Sequence, residues 1–316
     1  KDMAEDSCNI WEETILALQS DELTPTKACA WTIAFVVVIT FVTSTLTGNY
    51  SQVDKIWSII PFVYCWIVVT DTRTLLMAIV ATLWGIRLTW NFNRRGGYKW
   101  PIWDGDEDYR WKLLQDGALL DILRNKVAWV AFNLLFISFY QNVLLFLIVA
   151  PSLVAHIAVT RCGQVPLNGY DYLATVLIPL FIIIESIADN QQYNFQTEKY
   201  RRKNAGEPLT GEYADGFKSS GLFAIVRKPN YAAEQAIWIS FYLYSIGAVN
   251  GERFVNWSVS GWTLLCLLFQ GSGWLTEKIT LEKYPKYVEY MKQVPLYVPN
   301  PTKLLGTGSG SKTKTS

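Results

Sequence analysis

The sequence predicts an all-α, polytopic membrane helix bundle of about seven transmembrane helices, with the N-terminus lumenal and the C-terminus cytosolic. Three observations predict it. Hydrophobic residues make up 51% of the 316 positions and aromatic residues 15%, too apolar for a disordered chain and too aromatic for an ordinary soluble one. Seven apolar runs lie near 28–46, 53–70, 74–91, 127–150, 170–188, 235–250 and 255–272, most of them approaching the roughly 20 residues that cross a bilayer. Threading these runs alternately splits the basic residues unevenly. Five (Lys1, Lys27, Arg73, Arg161, Arg253) fall on one side and 22 on the other, with Arg87 inside a run. The positive-inside rule makes the richer side cytosolic, and an even number of spans would spoil the asymmetry.

In chain order, residues 1–27 form a lumenal segment. Met3 reads as a native start, after a Lys1-Asp2 left from a tag. Acidic residues stand before the first run where a signal peptide would be basic, so no cleaved leader is expected. Residues 28–303 hold the seven spans, of which the second and sixth are the shortest. The cytosolic segments 92–126 and 189–230 are charged, yet too rich in Trp, Tyr and Phe to be linkers, and should fold against the bundle. Pro151 and Pro179 are expected to kink or end helical segments. The tail 304–316 is Gly/Ser-rich and flexible. Its Lys312 and Lys314 resemble a dilysine signal for retrieval to the endoplasmic reticulum, a receptor-read address, with a plain basic tail as the alternative.

Composition also excludes. With 28 basic against 27 acidic residues, bulk charge favours no nucleic-acid partner. A single histidine, His156, excludes a His-rich metal site, and five cysteines without CxxC spacing favour neither zinc nor dithiol redox chemistry. Cys8 and Cys162 fall on the same, lumenal side. A disulfide is open to them, with two free thiols the favoured state.

Four polar constellations interrupt this apolar plan. The first is Arg227-Lys228-Pro229-Asn230-Tyr231 at the mouth of the sixth span. Pro229 forces its predecessor out of helical geometry, which makes Asn230 the expected N-cap. Glu234 and Trp238 then follow Asn230 on one helix face. The helix N-terminus with Arg227 and Lys228 suits an anion such as a phosphate; capped helix and headgroup contacts explain the basic pair alone equally well. Glu234 is harder to dismiss, because a carboxylate inside a membrane helix is costly without a partner. The second set is Glu185 and Asp189, four apart at the end of the fifth span. The third is a stripe of Trp84, Arg87, Asn91 and Arg94 or Arg95, followed by Glu107-Asp108-Tyr109-Arg110-Trp111. The fourth is the stretch after the last span, where Tyr284, Tyr287 and Tyr290 fit an amphipathic interfacial helix. In the charge-derived topology all four lie on the cytosolic side. Their convergence predicts a pocket for a large, phosphate-bearing cytosolic ligand beneath an apolar bundle suited to a lipid.

In this pattern the chain resembles the steroid 5α-reductase-like membrane family, closest to the branch known only as a domain of unknown function. The matching stretches run in order: VDKIWSIIP (53–61), LWGIRL (83–88), EDYRW (107–111), Gln141, the run from Glu185 through Asp189 and Gln191 to Phe195, GL…R.PNY..E (221–234), and SG…E…KY..Y with a closing proline. The resemblance covers about residues 50–300. It implies a bundle of about seven spans in the endoplasmic reticulum membrane and NADPH bound from the cytosol. The implied reaction is hydride transfer to the β-carbon of an enone in a sterol, isoprenoid or other lipid. On this footing Asp189, Asn230 and Glu234 touch the cofactor, and Glu234 also orients the nicotinamide. Arg87, Arg94 and Arg95 match basic positions facing its phosphates or ribose. Glu185, Arg227, Tyr231 and Asp108 complete the cofactor set.

Four departures stand out. Lys228 replaces the usual histidine of the branch. Gln192 and Gln196 stand where basic residues are common. Trp84 occupies the tyrosine position of the steroid-active members, and the partner glutamate has no counterpart nearer than Asp54. The proton donor that would stabilise charge on the enone oxygen is thus open among Asp54, Tyr64 and Tyr140, with His156 placed toward the lumenal side. Two other readings compete with a reductase. One is a membrane methyltransferase of the isoprenylcysteine or phospholipid type, which shares the GL…R.P.Y turn but not Asn230 and Glu234. The other is a catalytically degenerate reductase fold that binds lipid or serves as a subunit beside membrane-complex partners.

Overall fold

The computed structural model describes residues 8–117, 120–251 and 254–300. Met3, Arg253, Lys312, Lys314 and the rest of the tail lie outside these residues. Helix accounts for 73% of the chain, and no strand occurs among the described residues. The helices are α1 Ile10–Gln19, α2 Pro25–Thr47, α3 Gln52–Trp57, α4 Ile60–Ile67, α5 Thr72–Asn93, α6 Tyr109–Gln115, α7 Lys126–Phe132, α8 Gln141–Leu147, α9 Ala150–Ile157, α10 Gly169–Asn204, α11 Glu212–Asp215, α12 Pro229–Ala248, α13 Val259–Lys283 and α14 Tyr287–Gln293. A π-helical stretch, Asn133–Tyr140, joins α7 to α8 without a break, and another, Ala158–Cys162, extends α9.

Among the described residues, four helices are long and apolar enough to cross a membrane: α2, α5, the continuous rod Lys126–Leu147, and α10. The expected run 53–70 is not one helix but two, α3 and α4, interrupted at Ser58 and Ile59. Gly85 of α5 lies against that break. A Cβ there would collide with the Ser58 carbonyl and the Phe62 ring, and Ser58 Oγ meets Thr89 Oγ1 at 2.7 Å. The fifth run is longer than expected. At 1.5 Å per residue, 36 residues reach ~54 Å, well beyond the ~30 Å hydrocarbon core. Pro179 stays inside this helix without ending it. Pro151 begins a helix rather than ending one, because at the first turn its missing N–H is not needed.

Two compact units are distinguished. The first holds the chain up to Pro179 together with Ile237–Leu265, and the second holds Leu180–Ala236 and the chain from Cys266 on.

In the first unit, local signals start the helices. Thr24 caps α2, with Pro25 in its first turn, and Asp71 with Thr74 forms a capping box for α5. Polar rungs tie α2 to the rod: Asn142 Nδ2 donates to Thr40 Oγ1 at 3.0 Å and Asn133 Nδ2 to Ser44 Oγ at 2.9 Å. At one end of the unit Arg73 is 1% exposed and makes a two-pronged ion pair with Asp171, at 2.7 and 3.0 Å. The same guanidinium donates to the carbonyls of Val165, Pro166 and Gly247 at 3.2, 3.0 and 3.3 Å. A Cβ on Gly247 would sit 2.8 Å from Asp171 Oδ1, so glycine lets α12 close over the pair. Cys8 and Cys162 form a disulfide with Cα atoms 5.5 Å apart, contrary to the free thiols favoured from sequence. Its neighbour Arg161 reaches Glu13 at 3.2 Å. The bond links positions 154 residues apart, so sequence spacing alone carried little information about it.

Removing one partner of a buried, bidentate ion pair strands the other charge, at a cost of about 3–5 kcal/mol. Arg73→Met is therefore expected to lower the melting temperature of detergent-purified protein sharply, and Arg73→Met with Asp171→Leu to recover much of the loss. Equal melting temperatures for wild type and Arg73→Met would contradict this placement. For the disulfide, a mass tag applied after denaturation without reductant should label three cysteines, those at 29, 65 and 266, and label all five after reduction. Five labels in both conditions would remove the bond.

Candidate functional site

The predicted site residues fall into two groups, one in each unit. In the second unit the basic turn is built by backbone pairing. Arg227 N donates to the Pro295 carbonyl at 2.8 Å and Lys228 N to that of Leu296 at 3.1 Å. Helix α12 begins at Pro229, with the Lys228 carbonyl accepting from Ala232 N at 3.0 Å. Asn230 is thus inside the first turn and not the N-cap expected from sequence. Proline tolerated in that turn shifts the start by one residue and frees the Asn230 side chain. Its Nδ2 donates to Asp189 Oδ1 of α10 at 3.3 Å. Beside this contact, Leu222 N donates to Gln191 Oε1 at 3.0 Å. Gly221, at φ +67°, leaves no room for a Cβ against the Gln191 amide. The polar run of α10 and the turn before α12 are therefore clasped together by the side chains of Asp189, Gln191 and Asn230.

Glu185 and Glu234, on the same two helices, are both 5% exposed. Tyr231 is half-buried and packs its ring edge-on to Phe269 at 4.7 Å. Lys228 Nζ donates to Thr276 Oγ1 at 2.9 Å.

Arg227 turns elsewhere. Its guanidinium grips Glu277 of α13 at 2.5 and 3.1 Å and donates to the carbonyls of Met291, at 3.2 Å, and Val294. An Arg227 so engaged ties the C-terminal segment down and has no donor directed at a phosphate. Three tyrosines complete the anchorage. Tyr287 donates to Glu277 Oε1 at 3.2 Å, Tyr290 to the Phe223 carbonyl at 2.5 Å, and Tyr297 to the Phe269 carbonyl at 2.6 Å. Burial pushes the Tyr287 and Tyr290 phenols up, and the Glu277 charge pushes Tyr287 further, so both remain protonated donors. The stretch expected to lie along a membrane surface is thus docked onto protein. Sequence reasoning recorded the spacing of Tyr284, Tyr287 and Tyr290 but had no signal for Glu277 as their hub.

In the first unit, EDYRW folds onto the segment preceding and including VDKIW. Tyr50 N donates to Glu107 Oε1 at 2.6 Å and Asp108 N to Ser51 Oγ at 2.9 Å. Lys55 is 6% exposed, and its Nζ donates to the carbonyls of Ile102 and Asp104 at 3.2 and 2.8 Å. Trp111 and Val53 share one apolar cluster. Asp108 caps α6 and pairs with Arg110 at 2.6 Å, a structural position. Asp54, half-buried in α3, lies within electrostatic reach of Asp108 and Arg110. On α5, Arg87 is half-buried, Arg94 bonds Asn91 Oδ1 at 2.9 and 2.6 Å and stacks over Trp90 at 4.3 Å, and Arg95 is exposed. Trp84 is buried edge-on to Trp238 at 4.8 Å. Tyr64 of α4 is 1% exposed. His156 Nδ1 lies 2.5 Å from Thr70 Oγ1 and 3.1 Å from the Val68 carbonyl.

These motif stretches are shared beyond this chain. A family profile described as a protein of unknown function, DUF1295, matches residues 40–294. The chain belongs to the DUF1295 family. An uncharacterized protein of Schizosaccharomyces pombe is 33% identical over 270 residues, covering 81% of this chain and 74% of the relative. No solved structure matches.

The engaged Arg227 yields a sharp expectation. Arg227→Met leaves Glu277 buried and unpaired, at a cost of about 3–5 kcal/mol, and frees the 284–297 segment. Limited proteolysis should then cut within 284–297 faster than in wild type, whereas Asn230→Ala should leave cleavage unchanged. Unchanged cleavage in Arg227→Met would contradict the anchoring role.

Proposed function

We propose that this protein is a membrane NADPH-dependent reductase acting on a carbon–carbon double bond conjugated to a carbonyl in a sterol, isoprenoid or other lipid. The observation that carries the reading is the clasp in the second unit. Asp189 and Asn230, the two residues that the steroid 5α-reductase-like resemblance assigns to the cofactor, are hydrogen-bonded to each other from separate helices. An acceptor-only carboxylate beside an amide with both donors and an acceptor fits a sugar hydroxyl or a carboxamide. Glu234, buried one helical turn further along α12, is in place to add a second acceptor. Arg227 does not join the set, because Glu277 and two carbonyls hold it.

When bound, NADPH supplies the hydride. The chain's own part is to orient the carboxamide and ribose through Asp189, Asn230 and Glu234, and to exclude water with an apolar bundle. A seven-span bundle is proposed, with the N-terminus lumenal, the C-terminus cytosolic and the endoplasmic reticulum as the membrane. Supporting the orientation is the Cys8–Cys162 bond, since disulfides persist in oxidising compartments.

Ligand at a hundred times its Kd adds about 2.7 kcal/mol to apparent stability. NADPH should raise the melting temperature of detergent-purified wild type by several degrees, S-adenosylmethionine should not, and Asn230→Ala and Glu234→Gln should each abolish the shift. A shift with S-adenosylmethionine alone, or with neither ligand in folded protein, would overturn the reductase reading.

A further inference from the structure

Buried tyrosines are distinguished by what their hydroxyls touch. Among the described residues, Tyr64, Tyr242, Tyr244 and Tyr287 are buried. Tyr244 meets Thr175 Oγ1 at 2.8 Å, Tyr242 donates to the Phe254 carbonyl at 2.9 Å, and Tyr287 donates to Glu277. Tyr64 is different: its Oη is fully enclosed and has no hydrogen-bond partner. The ring is held edge-on to Phe146 at 5.3 Å, and its helix α4 packs on α2, α5 and α8. Its neighbour Cys65 is 0% exposed. A phenol in such surroundings gives up its hydrogen bond to water and receives nothing in return, which a purely structural side chain such as phenylalanine would avoid.

Resting on the reductase reading for the substrate class, we propose that the Tyr64 hydroxyl is the hydrogen-bond donor to the carbonyl oxygen of the lipid-like substrate. Two other groups were open for this role. Asp54 belongs to the charged neighbourhood of Asp108 and Arg110, where a carboxylate stays an acceptor. Tyr140 is only half-buried and stacks on Phe136 at 5.3 Å, in line with Phe132. Tyr64 alone of the three is a neutral donor, fully buried, with its bond still to make. In enone reduction the hydride from NADPH adds to the β-carbon, the π electrons move onto the carbonyl oxygen, and the α-carbon then takes a proton from water, leaving NADP and the saturated ketone. A donor fixed on that oxygen strengthens its bond as the charge develops, and such donors contribute about 10²–10³-fold in rate. The required ligand is apolar and carries a carbonyl oxygen along with little other polarity, because the ring's surroundings are apolar.

The test is Tyr64→Phe, measured in detergent-purified protein saturated with NADPH, with 4-cholesten-3-one and farnesal as probes. Removing an unpartnered hydroxyl should leave the melting temperature of the ligand-free protein equal or higher, and the NADPH shift intact. At least one probe should bind wild type, with affinity falling about tenfold or more in Tyr64→Phe and its turnover falling about 10²-fold. A lower melting temperature in ligand-free Tyr64→Phe would mean that the hydroxyl serves the fold, and would overturn the proposal. So would equal probe affinity and turnover in the two proteins, or no binding of either probe by a wild type that responds to NADPH. Loss of the NADPH response in wild type itself would instead sink the reductase reading on which the proposal rests.

Discussion

The buried ion pair of Arg73 with Asp171 is the constraint on which the first unit depends. A guanidinium that is 1% exposed has no solvent to turn to, so its five hydrogen bonds all come from protein. They draw on the start of α5, the segment leading into α10, and the end of α12. Each acceptor fixes where one chain segment must pass. The disulfide of Cys8 with Cys162 and the Arg161–Glu13 pair then fasten α1 to the chain around α9. Buried pairs of this kind add little net stability compared with apolar packing, but they penalise any arrangement in which one partner is left behind. Here that penalty sets the mutual positions of segments that are distant in sequence.

The second unit repeats the principle with Arg227 and Glu277. Read as sequence, Arg227-Lys228-Pro229-Asn230-Tyr231 is a uniform basic mouth for an anion. In the fold its residues separate into different tasks. Arg227 secures the C-terminal segment, Lys228 bonds Thr276, Pro229 starts the helix, and Asn230 joins Asp189. The motif stretch Gly221–Glu234 is thus partly architecture and partly candidate chemistry. Gln191 shows the same division, since it holds the GL turn in place by accepting from Leu222 N.

How much of this was legible in the sequence depended on distance along the chain. The apolar runs 28–46, 74–91 and 127–150 gave α2, α5 and the Lys126–Leu147 rod almost residue for residue, because span length and hydropathy are local properties. Helix ends were less legible. The run 170–188 stopped at the last apolar residue, yet Asn190 to Asn204 continue the helix on polar residues. Run 53–70 concealed a break that only packing against Gly85 explains. Pro151 and Pro229 were read as obstacles and are helix starts. Among candidate site residues, Asp189 and Asn230 were legible because the family pattern marks both. Arg73 with Asp171 and Arg227 with Glu277 were not, since 98 and 50 residues separate the partners and no periodicity connects them. The missing partner of Tyr64 is likewise visible only once every neighbour has been placed.

The central claim is that the meeting of Asp189 with Asn230 is a nucleotide site and not merely a helix contact. Titrating NADPH into the purified protein and following nicotinamide fluorescence, with Asp189→Asn alongside wild type, separates the two. The substitution keeps the shape and a hydrogen bond to Asn230 while removing the charge. A nucleotide site predicts saturable binding in wild type, weakened tenfold or more in Asp189→Asn at an unchanged melting temperature. Equal binding in both proteins, or none in folded wild type, would contradict the account.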